Sequence, residues 1–169
     1  MTTKNRILSA LATAGLAVAG LGAAPALADS GHTVSMTTVQ HGTFTIPDAT
    51  DFCTGEAIVP TITGTDLFHV TYFPAGDEAW GTFTTTGTGS FVQPSTGLTF
   101  SGRVTVWGNF NVNNQNSNNT FTATFRLTAV DSSGVTHTES GHVVEHVAFN
   151  AADPTSPIVS FSNFNGICS

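Results

Sequence analysis

The sequence predicts an all-β protein: an antiparallel meander closed into a calycin-like barrel of about eight strands, in preference to a sandwich. Three observations carry this. Beyond residue 28 the chain is rich in Thr, Val, Phe, Gly and Asn and contains no Lys; the first three residue types favour strands and the last two favour turns. No window of helical length in that region keeps a 3.6-residue apolar period. Strand-like runs instead alternate with turn signals at short intervals, the pattern of a barrel or sandwich. Closure is preferred because it removes open sheet edges, which a Thr- and Val-rich chain without Lys leaves unguarded.

The first element is a leader. Lys4 and Arg6 precede an apolar run from Ile7 to Leu21, and Ala26-Leu27-Ala28 forms an A-x-A cleavage site. This predicts a signal peptide over residues 1–28, removed to leave one all-β domain over 29–169 that is secreted to the extracellular space. The run is too short to span a bilayer and has no successor, so no membrane association is expected.

Strands follow at roughly 34–46, 56–63, 66–73, 79–86, 89–93, 98–110, 119–130, 135–149 and 158–165. They are separated by Pro74 to Asp77, Gly87-Thr88-Gly89, Pro94 to Gly97, the Asn-rich 111–118, Asp131 to Gly134, and Asp153-Pro154 to Pro157. Folding 98–110 onto 119–130 about the Asn-rich tip sets Val104 opposite Phe125, Val106 opposite Ala123 and Gly102 opposite Leu127. On the other face Thr105 meets Thr124, Trp107 meets Thr122 and Arg103 meets Arg126, so apolar matches apolar as a correct register requires. Folding 119–130 onto 135–149 about a four-residue turn sets Phe121 opposite Val144, Ala123 opposite His142, Thr124 opposite Gly141 and Arg126 opposite Glu139. The last strand then places His146 beside Phe161 and Ala148 beside Val159.

All 11 acidic residues lie beyond Ala28, while Arg103 and Arg126 are the only basic side chains there. Such a chain lacks the clustered Lys and Arg of a phosphate-tracking protein, so nucleic acid is excluded as a partner. Two cysteines, Cys53 and Cys168, allow one intramolecular pairing, and an exported chain meets an oxidising environment. A disulfide between them would tie an early segment to the last strand, contributing roughly 4–5 kcal/mol at most in the chain-entropy model.

Several short segments in a fixed order carry a resemblance: Phe52-Cys53-Thr54-Gly55-Glu56, Leu67-Phe68-His69-Val70-Thr71, Thr96 to Gly102, His142 with His146, and the stretch from Phe161 to Cys168. In these the chain resembles a family of small exported β proteins of high-GC Gram-positive bacteria. That family is typified by a CTGE segment, an F-H-x-T strand, a TG-x-x-[YF]-x-G turn, two histidines four apart and a terminal cysteine. The resemblance covers about residues 50–168. It implies export, a β architecture and the disulfide, and it implies no reaction.

The sharpest chemical motif is His142-Val143-Val144-Glu145-His146, which reads H-x-x-E-H, a zinc-peptidase pattern. That pattern works on a helix. On a strand, residues four apart stand roughly 13 Å from each other, too far for two imidazoles to share one zinc, and Glu145 points away from both histidines. No metal and no cofactor is therefore expected. The register above puts His142 and His146 on the face of Phe121 and Phe125. Two readings stay open: satisfied core histidines, or the polar lining of a ligand cavity that also takes in His69 and Phe161. Arg103, Arg126 and Glu139 read as a surface ion cluster, or with less weight as a clamp for an anionic ligand.

The resulting functional expectation is a secreted barrel that binds a small apolar or amphipathic molecule in its interior. The candidate ligand residues are His69, Phe121, Phe125, His142, His146 and Phe161. Two alternatives stand beside it: a barrel-type cyclase or isomerase using an interior histidine, and a structural or interaction protein with a packed core.

Overall fold

The computed structural model describes residues 32–47, 49–73, 78–150 and 153–169; the expected leader, its expected cleavage site and the expected turn at 74–77 lie outside them. Nine strands form in order: β1 Val34–Thr45, β2 Ala49–Thr50, β3 Ala57–Ile58, β4 Thr61–Phe73, β5 Glu78–Val92, β6 Thr99–Val112, β7 Asn116–Val130, β8 Thr136–Asn150 and β9 Asp153–Cys168. Seven of them make one antiparallel sheet in the order β1-β4-β5-β6-β7-β8-β9, and β2 pairs with β3 in a small hairpin. The all-β antiparallel meander is as the composition and spacing indicate. No helix among the described residues is long and apolar enough to cross a membrane.

Two of the expected turns are strand interior. Gly87-Thr88-Gly89 lies within β5, opposite Gly64, Thr63 and Ile62 of β4. Gly64 and Gly87 face each other so closely that a Cβ on Gly64 would run into the Thr86 carbonyl and stand 2.6 Å from the Gly87 Cα. These glycines mark close approach of two backbones rather than a reversal of direction. Likewise the Pro-containing segment before residue 158 belongs to β9, with register shifts opposite Ala148 and Phe149.

The β6–β7 register agrees with the sequence reading pair by pair: Val104 faces Phe125, Val106 faces Ala123, and Arg103 faces Arg126. The β7–β8 register differs from it by one residue. Thr124 faces His142, Arg126 faces Ser140 and Leu127 faces Glu139. The cause is the turn, which takes five residues, 131–135. The Asp131 N–H donates to the Val135 carbonyl at 3.0 Å. The Asp131 carboxylate accepts from the Ser133 and Val135 N–H groups, and Gly134 supplies the positive φ of 86° that the reversal needs. A one-residue slip moves every side chain of a strand to the other face. Hence Glu139, Val143 and Glu145 point inward, and His142 and His146 outward.

The inner face carries the core. One cluster joins Ile46, just before β2, with Ala49 of β2 and Ile58 of β3 to Ile62, Phe91, Phe100, Val104, Leu127 and Ala129. A second joins Phe121, Ala123 and Val143, with Phe83, Val106 and Phe164 packed against it. Each buried Phe or Leu in these clusters contributes roughly 1.5–3 kcal/mol relative to exposure. Phe52, from the loop between β2 and β3, sets its ring edge-on to Phe164 at 5.0 Å and to Phe125 at 5.8 Å. The β2–β3 hairpin and its loop thus cover one end of the inner face, and the Cys53–Cys168 disulfide ties that loop to β9 across 115 residues of sequence.

Candidate functional site

The covered end of the sheet gathers most of the unusual chemistry. Asp51 opens the β2–β3 loop and is 2 % exposed. Its carboxylate accepts from the Cys53 N–H at 2.8 Å and the Thr54 hydroxyl at 2.8 Å, and from the Gln93 side-chain amide at 2.9 Å. The loop closes where the Gly55 N–H donates to the Asp51 carbonyl. Gln93 is held in turn by the Thr96 hydroxyl, 2.7 Å from its Oε1, in the Pro94–Gly97 turn. A buried carboxylate persists because each of these donors replaces a water.

Glu139, from the inward face of β8, meets this loop and is 3 % exposed. Burial, then the Asp51 charge, then a hydrogen bond with Asp51 push its carboxyl up from the ordinary 4.5 to about 7. Oxygens of both carboxyls and the Cys53 Sγ lie within 4.8 Å of one another. That sulfur is committed to the disulfide, whose Cα atoms are 5.9 Å apart, so the cluster offers carboxyl oxygens and no thiolate. Beside it, Asp131 accepts from the Ser133 hydroxyl at 2.6 Å and lies 3.0 Å from His137 Nε2. The Ser133 hydroxyl, His137 and the Val135 N–H hold the Asp131 carboxyl well below the usual carboxylate range.

Two cavities meet at Glu139. A cleft of about 540 Å³ opens beside the disulfide, between Gln93, Leu98, Phe100, Asp131, His137 and Glu139. A smaller chamber of about 110 Å³ lies beneath the hairpin, walled by Ile46, Phe52, Ile62, Phe91, Phe125, Val143 and Phe164, with Asp51 and Glu139 at its edge. The cleft mixes polar and apolar lining, the chamber is almost wholly apolar, and Glu139 lines both.

The residues singled out in the sequence separate into two groups. Phe121 and Phe125 face inward, and Phe125 lines the chamber. His142, His146, His69 and Phe161 do not join them. His142 is exposed, its Nδ1 3.4 Å from the Thr124 hydroxyl. His146 Nδ1 lies 2.7 Å from the Thr120 hydroxyl, and His69 Nδ1 lies 2.8 Å from that of Thr37. Phe161 is 54 % exposed opposite His146. None of the four lines the cleft or the chamber. His69 and His146 share one transverse row, with Thr82, Asn109 and Thr120 between them, which sets them roughly 19 Å apart at the spacing of neighbouring strands. They cannot share an ion. Glu139 is likewise not the partner expected for Arg103 and Arg126, because it lies on the opposite face of the sheet.

Glu145 does point away from His142 and His146, as its place in the motif requires. It is 7 % exposed, burial alone raises its carboxyl to about 7, and its Oε2 has no hydrogen-bond partner among the described residues. Asp51, Gln93, Glu139 and the Asp131–His137 pair were not singled out for this site by their sequence. Of the segments that carry the resemblance, Phe52–Glu56, Thr96–Gly102 and the stretch reaching Cys168 lie at this end. Comparison with known proteins finds no matching family model, no matching curated protein and no matching solved structure.

Proposed function

We propose that the chain is a secreted binding module, a barrel wound around its apolar chamber, that takes a small amphipathic molecule at the disulfide end. The apolar part of the ligand enters the chamber and its polar head stays in the cleft. The observation that carries this reading is the shared position of Glu139, which lines an open cleft of mixed polarity and an apolar chamber together. A concave site with an apolar interior and a few convergent polar groups is the usual form of a small-molecule site. The barrel reading draws on the chamber walls, which come from every strand from β4 to β9. Secretion draws on the leader sequence, the disulfide and the family resemblance.

The cleft lining contains no Lys or Arg and includes the ionised Asp131, so the preferred head group is cationic or neutral. Calorimetry and amide chemical-shift mapping with hexylamine, hexanol and hexanoate test this. Hexylamine is expected to bind most tightly and hexanoate least, with shifts at Leu98, Phe100, Glu139 and Val143. Absence of shifts at those positions with all three probes at millimolar concentration overturns the reading. The His137–Asp131 pair in the same cleft favours a second reading, proton transfer to a bound ligand by His137. Turnover of a ligand, rather than its retention, separates the two.

A further inference from the structure

Arg103 and Arg126 are direct cross-strand partners on the outer face of β6 and β7, and both are exposed. Like charges placed opposite each other in a sheet are unfavourable, so such a pair calls for a counter-charge. The sheet provides none. The transverse row that holds them runs Thr88, Arg103, Arg126, Ser140. Their neighbours along each strand on the same face are Ser101 and Thr105, and Thr124 and Thr128. All six are hydroxyl residues. No Asp or Glu occurs in β6 or β7, and neither guanidinium makes an ion pair or hydrogen bond among the described residues. Asp131, the acid nearest Arg126 in sequence, is engaged in the β7–β8 turn with Ser133 and His137, and Glu139 is buried on the inner face.

We propose that Arg103 and Arg126 together bind an oxyanion, a carboxylate, sulfate or phosphate group, on the outer face of the sheet. Each planar guanidinium offers parallel N–H donors that match two oxygens of one such group, and the ring of hydroxyls supplies further donors around it. The oxyanion relieves the repulsion that the register imposes. It is either a free inorganic ion or a group carried on a polyhydroxylated body such as an acidic sugar, which the Thr-rich surroundings also fit. Trp107, 42 % exposed four residues along the same strand and face, offers a ring for such a sugar.

The experiment uses the purified chain with the variants Arg103→Gln, Arg126→Gln and the double variant. Sodium sulfate, trigalacturonate and maltotriose are the probes, each compared with chloride at matched ionic strength. Sulfate is expected to shift the Nε–H signals of both arginines in nitrogen-edited spectra, and each single variant to weaken that binding at least tenfold. Sulfate stabilises proteins generally through exclusion from their surface, so the thermal readout is the difference between wild type and double variant. Wild type should gain the larger rise in Tm. In chloride alone the single variants should melt higher than wild type, because the like-charge contact is gone. Trigalacturonate binding more tightly than sulfate, and losing that margin in Trp107→Ala, assigns the oxyanion to an acidic sugar. Binding of sulfate alone assigns it to a free ion, and either result supports the pair. Arginine signals unmoved by sulfate and trigalacturonate, equal Tm gains in wild type and double variant, or equal binding of maltotriose overturn it.

Discussion

The carboxyl groups of Asp51 and Glu139 share one buried site behind the Cys53–Cys168 bridge, and their environments divide the work between them. Asp51 accepts hydrogen bonds from the Cys53 N–H, the Thr54 hydroxyl and the Gln93 side-chain amide. Glu139 is pushed up to about 7 by burial and by the Asp51 carboxyl beside it. Near pH 7 Glu139 therefore keeps a proton about half the time, where a free carboxyl would have lost it.

Stability should fall as pH rises from about 4.5 to about 7. Glu139 and Glu145 both have carboxyls raised to about 7 in the folded protein. Between the unfolded and folded values the native state binds more protons, so the free energy of unfolding decreases with pH and levels off above about 7. Each group contributes up to about 3 kcal/mol to that loss. Urea titrations from pH 4 to pH 8 check this, and a flat profile would refute it.

Glu145→Gln isolates one half of that loss. The amide cannot ionise, so the variant should be more stable than wild type above pH 7, by up to about 3 kcal/mol, with a shallower slope below it. A gain that is the same at every pH would point to packing rather than ionisation.

Face assignment on β8 is open to a direct comparison. Phe121→Ala removes a buried ring and should cost about 3–5 kcal/mol. His142→Ala on the solvent face should change stability by less than about 0.5 kcal/mol. Equal losses in chemical denaturation would return the histidines to the interior.

Gly64→Ala should destabilise by about 1–3 kcal/mol, since the added methyl meets the Thr86 carbonyl and the Gly87 Cα of the neighbouring strand. An unchanged denaturation midpoint would show that the two strands stand further apart.

Removing the bridge with Cys53→Ala and Cys168→Ala should cost about 2–5 kcal/mol, read as the same loss when wild type is unfolded with and without reductant.

The β6–β7 hairpin was legible because its tip is compositionally distinct and its strands alternate cleanly, so only one register matched Val104 and Val106 to Phe125 and Ala123. The β7–β8 face was not, because Val135 looks like a strand residue while its carbonyl closes the turn; that single residue inverted the placement of His142, His146 and Glu139. Gly87 and Gly89 misled in the opposite way, since glycine serves close backbone approach as well as reversal. The disulfide followed from counting cysteines. The cleft beside it did not, because Gln93, Asp131, His137 and Glu139 come from separate turns and strands and acquire a common purpose only when the Asp51 loop docks among them.

From β5 to β9 each strand of the large sheet hydrogen-bonds to its predecessor in the chain, so each of these hairpins can close once its second half has been synthesised. The bridge alone obeys a different clock. Cys53 waits through 115 residues for a partner in the last strand, and until then it is a thiol on an unclamped loop. An oxidised bridge thus reports that synthesis has passed Cys168: a chain stopped before it has no intramolecular partner for Cys53, and that thiol marks it out chemically from a chain that carries both cysteines.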